Sequence, residues 1–315
     1  MNFSPVDIII CTYNNESIIL KCLDHINDLK YKNKKCIVVD DKSTDGTVGV
    51  IEKSYPWVRI IKKKEHSGPS ISRNLAIRSS GSKYILFLDS DVLVKPYFLS
   101  NLIDAAKKNN LAICGGKLLL KDNTIDSAGG GITRIGVGFD RGHSMDENKF
   151  NSYEKVMYIP SAAMLVKRSI FDKIGFFDET YFYGHEDTDF CWRAAIAGFK
   201  IYYDPSAIAV HYKNQTVKSM KKEVYYYGVR NRIRSLIKNH EFLTLLLYLP
   251  LYKAYLLFST IFGHFKTEKI KAVFWNLIHC KETLRERSRI QSLRRVRDRD
   301  LPFSPLFALF KRKNL

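Results

Sequence analysis

The chain has 315 residues, 45% of them hydrophobic and 13% aromatic, and a formal net charge of +19. This length and composition allow one large α/β domain with a C-terminal extension and exclude a disordered polymer. The positive charge indicates an anionic partner: nucleic acid, an acidic membrane surface or phosphorylated ligands.

Short apolar runs alternate with helical patterns over the first two hundred residues, which predicts a mixed sheet covered by helices. The predicted strands are residues 6–11, 36–40, 58–61, 84–89 and 158–166. The predicted helices cover residues 18–29, a segment capped by Ser43 or Thr44, residues 68–79, a segment starting near Pro96, and residues 186–197. The glycine-rich stretch 115–152 is irregular, and a lid over a ligand and a plain surface excursion are its two interpretations.

Two carboxylates, Asp89 and Asp91, end the apolar segment YILFLDSD. In extended geometry positions i and i+2 point the same way, so both acids are expected to face one point beyond the strand. Acids at the carboxyl edge of an α/β sheet suit Mg²⁺ or Mn²⁺, which prefer oxygen ligands and often bridge to phosphates. A polar strand-to-turn transition is the alternative.

Two further motifs are candidates for nucleotide binding. The strand in CIVVDDKSTDGT ends in Asp40 and Asp41, and an acid there can accept hydrogen bonds from a ribose or a base. A helix cap with a turn is the alternative. SGPSISRNLA places Arg73 and Asn74 in the first turns of a helix after Gly68, where helix N-termini and guanidinium groups favour phosphates. A solvated arginine is the alternative there.

The segment YGHEDTDFCWR crowds acids at the start of a helix, where they interact well with the helix dipole. Asp189 and Arg193 are spaced i, i+4, which predicts a structural ion pair, and Arg193 is also kept as a candidate substrate-binding residue. Glu186 and Asp187 are then candidates for taking a proton from an attacking hydroxyl. His211, in AIAVHYKN, is either a metal ligand or a packed histidine.

Together these segments resemble a family 2 inverting glycosyltransferase with the GT-A fold, in particular its rhamnosyltransferase-like branch. The matching pieces, spanning roughly residues 5–212, are IIICTYNNE, VVDDKSTDGT, SGPSISRN, LFLDSD, IPSAAMLVKRSIFDKIGFFDE, YGHEDTDFCWR and VHY. The resemblance implies a catalytic domain over residues 1–215, with its nucleotide-binding half up to about residue 115 and its acceptor half over residues 116–215. It also implies inverting transfer of a sugar from a UDP- or dTDP-sugar to a hydroxyl of a glycan or lipid-linked acceptor.

The resemblance also implies roles for individual residues. Asp89, Asp91 and His211 would hold Mg²⁺ or Mn²⁺, and Asp187, beside Glu186, would be the catalytic base. The residues expected to contact substrates are Thr12, Tyr13 and Glu16 in the nucleotide pocket, Asp40 and Asp41 at the base and ribose, Arg73 at the diphosphate, and Ser161 and Ala162 at the acceptor. Gly68, Asn74 and Arg193 are further candidate substrate-binding residues.

Other functions fit the sequence less well. The family's Gln-x-x-Arg-Trp motif and a string of membrane helices are missing, which argues against processive synthesis. A sugar-nucleotide pyrophosphorylase would carry a glycine-rich loop after the first strand, where this chain has CTYNNES. A nucleic-acid-binding protein is disfavoured by the acidic strand ends.

Residues 216–315 predict a helical, basic extension with an apolar run at 242–262. Pro250 and Lys253 interrupt that run, so we expect two short amphipathic pieces on an anionic membrane surface rather than a span. A span and packing within a soluble protein are the alternatives. The six cysteines have no C-x-x-C pair, which predicts buried thiols in a reducing compartment. The N-terminus lacks a signal-peptide pattern, so we expect a cytoplasmic enzyme peripheral to the cell membrane.

Overall fold

The computed structural model describes residues 3–213 and 221–305, so the predicted boundary near 215 and the end of the extension lie outside the described residues. Within these residues, ten strands form one mixed sheet and two more form a small hairpin. The strands are β1 Val6–Thr12, β2 Lys34–Asp40, β3 Arg59–Lys62, β4 Tyr84–Asp89, β5 Val92–Val94, β6 Ile113–Leu119, β7 Ile125–Ser127, β8 Gly130–Ile132, β9 Gly138–Asp140, β10 Glu154–Lys155, β11 Ala163–Lys167 and β12 Ile201–His211.

Helices cover both faces of this sheet and continue beyond it. They are α1 Glu16–Asn27, α2 Thr47–Ser54, α3 Pro69–Ser79, α4 Phe98–Asn109, α5 Phe171–Ile174, α6 Glu186–Ile196, α7 Lys221–Asn239, α8 Phe242–Phe262, α9 Lys266–Ile278 and α10 Cys280–Ser292. The predicted α/β fold with C-terminal helices is therefore confirmed. Helix α2 begins later than expected, because Asp45 rather than Ser43 or Thr44 accepts the hydrogen bond of the Thr47 amide.

The main sheet runs in the order β10-β12-β6-β11-β4-β1-β2-β3, with β5 on β12 and β7 on β6. Strands β1 to β4 are mutually parallel where they pair, and β11 is antiparallel to both of its neighbours. Successive residues of β1 point to opposite faces, so Ile9 enters one core cluster while Ile8 and Ile10 enter the other. Parallel pairing puts Thr12 beside Asp40, at the same edge of the sheet as Asp89.

The C-terminal helices are built into this fold rather than attached to it. The basic side chains Arg230, Arg234 and Lys238 on α7 are buried, and α9 and α10 pack against the same helix. In the part of the chain that the structure describes, Val229, Ile233 and Leu236 of α7 lie in the same core cluster as residues of the sheet. Part of the positive charge that the sequence suggested for an external surface therefore lies inside the protein.

Within the glycine-rich stretch, residues 125–137 are mostly buried, whereas residues 143–152 are mostly exposed. Strands β8 and β9 pair, and a β-carbon on Gly130 would lie 1.9 Å from the Tyr158 ring, which only glycine avoids. The Ser304 amide donates to the Ile132 carbonyl at 2.8 Å, so a C-terminal segment covers the hairpin.

Helix α8 is one continuous helix through Pro250, and the predicted division into two short pieces is wrong. A proline removes one backbone donor, and the Leu-rich sequence around it is strongly helix-forming. Helix α8 is long and apolar enough to cross a membrane by length and composition, with a mean hydropathy of 1.5 and 11% of its most apolar window buried.

The cysteines are free, and four of the six are buried. The exceptions are Cys11, which is half-buried, and Cys280, which is exposed. Burial raises the pKa of Cys36 to about 12, so this thiol stays protonated and unreactive.

Candidate active site

Three predicted metal ligands converge at the carboxyl edge of the sheet. Asp89 ends β4, Asp91 lies in the tight turn between β4 and β5, and His211 ends β12. One ligand atom from each lies within 4.8 Å of the others, and His211 Nε2 is 3.3 Å from Asp91 Oδ1. Asp89 and Asp91 are brought together by this turn, whereas the sequence analysis expected both acids to lie in an extended segment. Two carboxylates and an imidazole form a donor set that suits Mn²⁺ or Mg²⁺.

The histidine of this group is oriented by Asp126, which ranks among the buried residues. His211 Nδ1 is 2.7 Å from Asp126 Oδ2, which leaves Nε2 facing Asp91. Burial alone would lower the pKa of His211, but the hydrogen bonds to Asp126 and Asp91 raise it to about 10. Lys213 Nζ also contacts Asp126, at 2.5 Å. A carboxylate behind a ligating histidine is a common means of fixing the ring of a metal ligand.

Arg73 links this group to the start of helix α6. The guanidinium is buried, and it donates to Glu186 Oε1 at 2.8 Å and to Asp89 Oδ1 at 3.3 Å. Loss of solvent in the cleft and the Asp91 carboxylate raise the pKa of Asp89, and Arg73 opposes them. Arg73 thus holds two acids from opposite sides of the cleft.

Asp187 follows Glu186 in the chain, and few positive charges compensate its carboxylate. It accepts hydrogen bonds from the Ser161 amide at 3.2 Å and the Thr188 amide at 2.6 Å. Burial and the neighbouring Glu186 carboxylate raise the pKa of Asp187 to about 7, although both amides lower it. A carboxylate with a pKa near neutrality is suited to general base catalysis.

The predicted nucleotide pocket lies at the ends of β1 and β2. The hydroxyl of Thr12 is buried and has no hydrogen-bond partner within the described residues, which leaves it available to a ligand. Tyr13 stacks on His66 with ring centroids 4.0 Å apart, and the Phe182 ring is nearly perpendicular to His66 at a centroid distance of 5.2 Å. Glu16 accepts a hydrogen bond from the Gly46 amide at 3.1 Å.

Asp40 and Asp41 hold loops around this pocket. Asp40 accepts the Ser43 amide at 3.1 Å. Asp41 is an acceptor for the Ser67 and Gly68 amides, at 3.1 and 2.8 Å, and pairs with Lys63. Their direct contact with a base or ribose stays a prediction. Gly68 has φ 85°, and a β-carbon there would lie 2.4 Å from the Phe182 carbonyl oxygen, so only glycine fits this turn.

Two predicted substrate-binding residues are used within the fold instead. Asn74 is fully buried and bonds the backbone of Phe177 in both directions. Arg193 pairs with Asp189 at 2.9 Å, as its spacing predicted, and donates to the Ile174 and Phe176 carbonyls. The assignment of Asn74 and Arg193 to substrate is corrected accordingly.

Residues 7–175 match the family described as Glycosyl transferase family 2. This region is more than half of the chain and contains the ends of β1, β2 and β4. The chain belongs to glycosyl transferase family 2. The resemblance read from the sequence motifs is therefore confirmed.

Curated relatives of this family 2 chain include two named bacterial transferases. The pre-mycofactocin glycosyltransferase of Mycobacterium tuberculosis is 26% identical over 232 residues, which cover 71% of this chain and 46% of the relative. The dTDP-rhamnosyl transferase RfbF of Shigella flexneri is 26% identical over 248 residues, covering 75% of this chain and 81% of the relative. The chain thus spans about half the length of the first relative and most of the second.

The fold is shared with solved structures. The mannosyltransferase PcManGT from Pyrobaculum calidifontis superposes with a TM-score of 0.57 at 16% identity, over 93% of this chain and 86% of that one. At this identity the likeness shows the fold alone, and it agrees with the predicted GT-A arrangement.

Sequence reasoning missed several residues of this family 2 site. Asp126 lies in the glycine-rich stretch, 85 positions from His211, and no local pattern connects them. His66 follows a run of lysines, and its stacking on Tyr13 depends on the Asp41 turn. Ser161 and Ala162, expected at the acceptor, lie where the Ser161 amide meets Asp187 and the Ala162 carbonyl accepts the Asp89 amide at 3.1 Å.

Proposed function

We propose that this glycosyl transferase moves a sugar from a nucleotide-diphosphate donor, a UDP- or dTDP-sugar, to a hydroxyl of a glycan or lipid-linked acceptor, with inversion. The observation that carries the proposal is one cleft in which Arg73 joins the Asp89 group to Glu186, next to Asp187. Such a cleft separates a site for a leaving diphosphate from a proton acceptor. The relative named dTDP-rhamnosyl transferase supports this donor class.

Asp89, Asp91 and His211 would hold a divalent cation, Mn²⁺ or Mg²⁺. When bound, such a cation supplies positive charge to the departing diphosphate. The donor set of two carboxylates and one imidazole, with Asp126 behind the imidazole, supports this assignment. The solved mannosyltransferase is described in complex with GDP-Man and Mn²⁺.

Asp187 accepts the proton of the acceptor hydroxyl as that oxygen attacks the anomeric carbon. The carbon–oxygen bond to the diphosphate breaks on the opposite face, so a single displacement inverts the configuration. The amides of Ser161 and Thr188 hold the Asp187 carboxylate in place. Arg73, between Glu186 and Asp89, adds a fixed positive charge beside the diphosphate site.

The test is the substitution Asp187→Asn, which keeps the shape of the side chain but removes the base. We expect transfer to fall by about 10²- to 10⁴-fold. Binding of UDP or dTDP with Mn²⁺, measured by thermal shift, should persist. Asp172→Asn, an exposed acid, is the matched control and should leave transfer unchanged. Transfer that survives in Asp187→Asn contradicts the assignment of the base.

We also propose that the apolar surface of α8 and α9 lies against the anionic cytoplasmic face of the cell membrane, where lipid-linked acceptors are found. Large apolar side chains on these helices are exposed, among them Leu243, Leu247, Phe258, Phe262, Phe274 and Ile278. Exposed basic residues accompany them, including Lys253, Lys266, Lys271 and Lys281. Apolar side chains edged by cations match the chemistry of an anionic bilayer surface.

Flotation with vesicles tests this proposal. The protein should float with vesicles containing phosphatidylglycerol, and more weakly with phosphatidylcholine alone. Paired substitution of Leu247 and Phe258 by Glu should abolish flotation without changing transfer to a soluble acceptor. A protein that stays unbound at low salt, or a variant that floats as well as the wild type, contradicts it.

A further inference from the structure

We infer that Asn231, on helix α7, is a positioning residue for the base Asp187. This inference rests on the proposed function, because it concerns the loop that presents the base. The geometry points to a clamp: one buried amide from the C-terminal helices holds two carbonyls of the segment that leads into Asp187.

The segment before the base has an unfavourable backbone. Gly184 and His185 both have positive φ, 71° and 73°. For a residue with a β-carbon this conformation is unfavourable, so His185 must be held there by its surroundings. His185 is also the residue before α6, and its carbonyl accepts the Asp189 amide at 2.9 Å. The direction in which α6 begins, and with it the place of Asp187, depends on the strained backbone of His185.

Asn231 holds the two peptide carbonyls that lead into His185. Its Nδ2 donates to the Tyr183 carbonyl at 3.0 Å and to the Gly184 carbonyl at 2.7 Å. The side chain is fully buried, and its Oδ1 accepts from Arg230 Nε at 2.9 Å, so the amide is fixed in one orientation. Removal of this donor would leave two carbonyls without a hydrogen bond in a buried environment, which is unfavourable.

The rest of α7 fixes the other side of the base. Ser235 and Asn239 donate to Asp189 Oδ1 at 2.8 and 3.1 Å, two residues after Asp187. The base is thus held between two points, the Tyr183–Gly184 carbonyls and Asp189, and both are bonded to α7. Loss of the Asn231 bonds frees the first point only, which would let the strained backbone of His185 relax and move the carboxylate of Asp187.

The experiment compares Asn231→Ala and Asn231→Asp with Asn276→Ala. Asn276 is a matched buried amide on α9 that donates to the Arg230 and Ala272 carbonyls, so it touches α7 but not the loop. Asn231→Asp keeps the shape of the side chain and removes its donors. We expect both Asn231 variants to lose about 10²-fold in kcat, with little change in the KM of the nucleotide sugar, because a displacement near 1 Å is enough. Asn276→Ala should keep its kcat.

Hydrogen exchange gives a readout independent of transfer. Amides of residues 181–188 should exchange faster in Asn231→Ala than in the wild type and Asn276→Ala, at a temperature where all three are folded. If Asn231→Ala and Asn276→Ala agree in kcat and in exchange, the clamp is overturned. If exchange rises but Asp187→Asn retains transfer, the clamp holds and the proposed base is the part that fails.

Discussion

Two groups of acids lie near helix α6, and they differ in what faces them. Asp178 and Asp189 are surrounded by Arg193, Arg234 and Lys238, and these cations hold the pKa of both carboxyls well below its usual range, against the effect of burial. In the cleft, burial raises the pKa of Asp89 and Asp187, the neighbouring carboxylates of Asp91 and Glu186 raise it further, and Arg73 opposes these effects only in part.

The two groups of acids differ in how far nearby cations compensate their charge, and this difference distinguishes structural acids from candidate functional acids. A buried acid with its cations in place stabilises packing and has little capacity left for a ligand. An acid without them gains from an added cation or a proton, which is typical of functional sites. Two aspartates close together in the chain, Asp187 and Asp189, therefore have different roles: the first is a candidate functional acid and the second is structural.

The largest effect is expected where cations compensate the buried acids Asp178 and Asp189. Lys238 is buried and lies 2.5 Å from Asp178 and 3.1 Å from Asp189, so Lys238→Met leaves two buried acids undercompensated. We expect the free energy of unfolding, measured in urea at pH 7, to fall by about 3–5 kcal/mol. Lys62→Met, which breaks the exposed pair with Glu52, should lower it by less than about 1 kcal/mol. Equal losses in the two variants would remove the distinction.

A smaller effect is expected on metal affinity when the acid behind His211 is changed. Asp126→Asn removes the negative charge behind His211 while keeping its shape, so the imidazole becomes a weaker ligand. We expect the affinity for Mn²⁺, measured by calorimetry in the presence of UDP, to fall by about 10- to 100-fold. Asp122→Asn, an exposed acid bonded to Thr124, should leave the affinity unchanged. An unchanged affinity in Asp126→Asn would argue against His211 as a ligand.

The smallest effect is expected in the pH dependence of kcat/KM, which tests Asp187 as the base. The base must be deprotonated, and its pKa is about 7, so kcat/KM should rise by about tenfold per pH unit below 7 and level off above. Glu186→Gln removes the neighbouring charge that raises this pKa, so the rise should shift to lower pH. A flat profile between pH 5 and 9 would be incompatible with Asp187 as the titrating base.

Much of the site could be predicted from local patterns. Strands that end in acids, and a helix that begins with them, put Asp40, Asp89 and Asp187 on their elements correctly, because hydrophobic runs and their ends are local properties. Asn74 and Arg193 were misassigned because a polar residue near a helix start looks the same in sequence whether it bonds a ligand or a distant carbonyl. Asn231 gave no local signal at all.

The sequence by itself determined five strands of the sheet, the order of the motifs and the family, since each depends on periodicity and on short spacings. Apart from the i, i+4 pair of Asp189 and Arg193, only the tertiary structure decided which charges are balanced. Asp126 meets His211 across 85 positions, and Lys238 meets Asp189 across 49. The electrostatic state of an acid depends on what lies within a few ångströms in space, and chain separation carries no information about that distance.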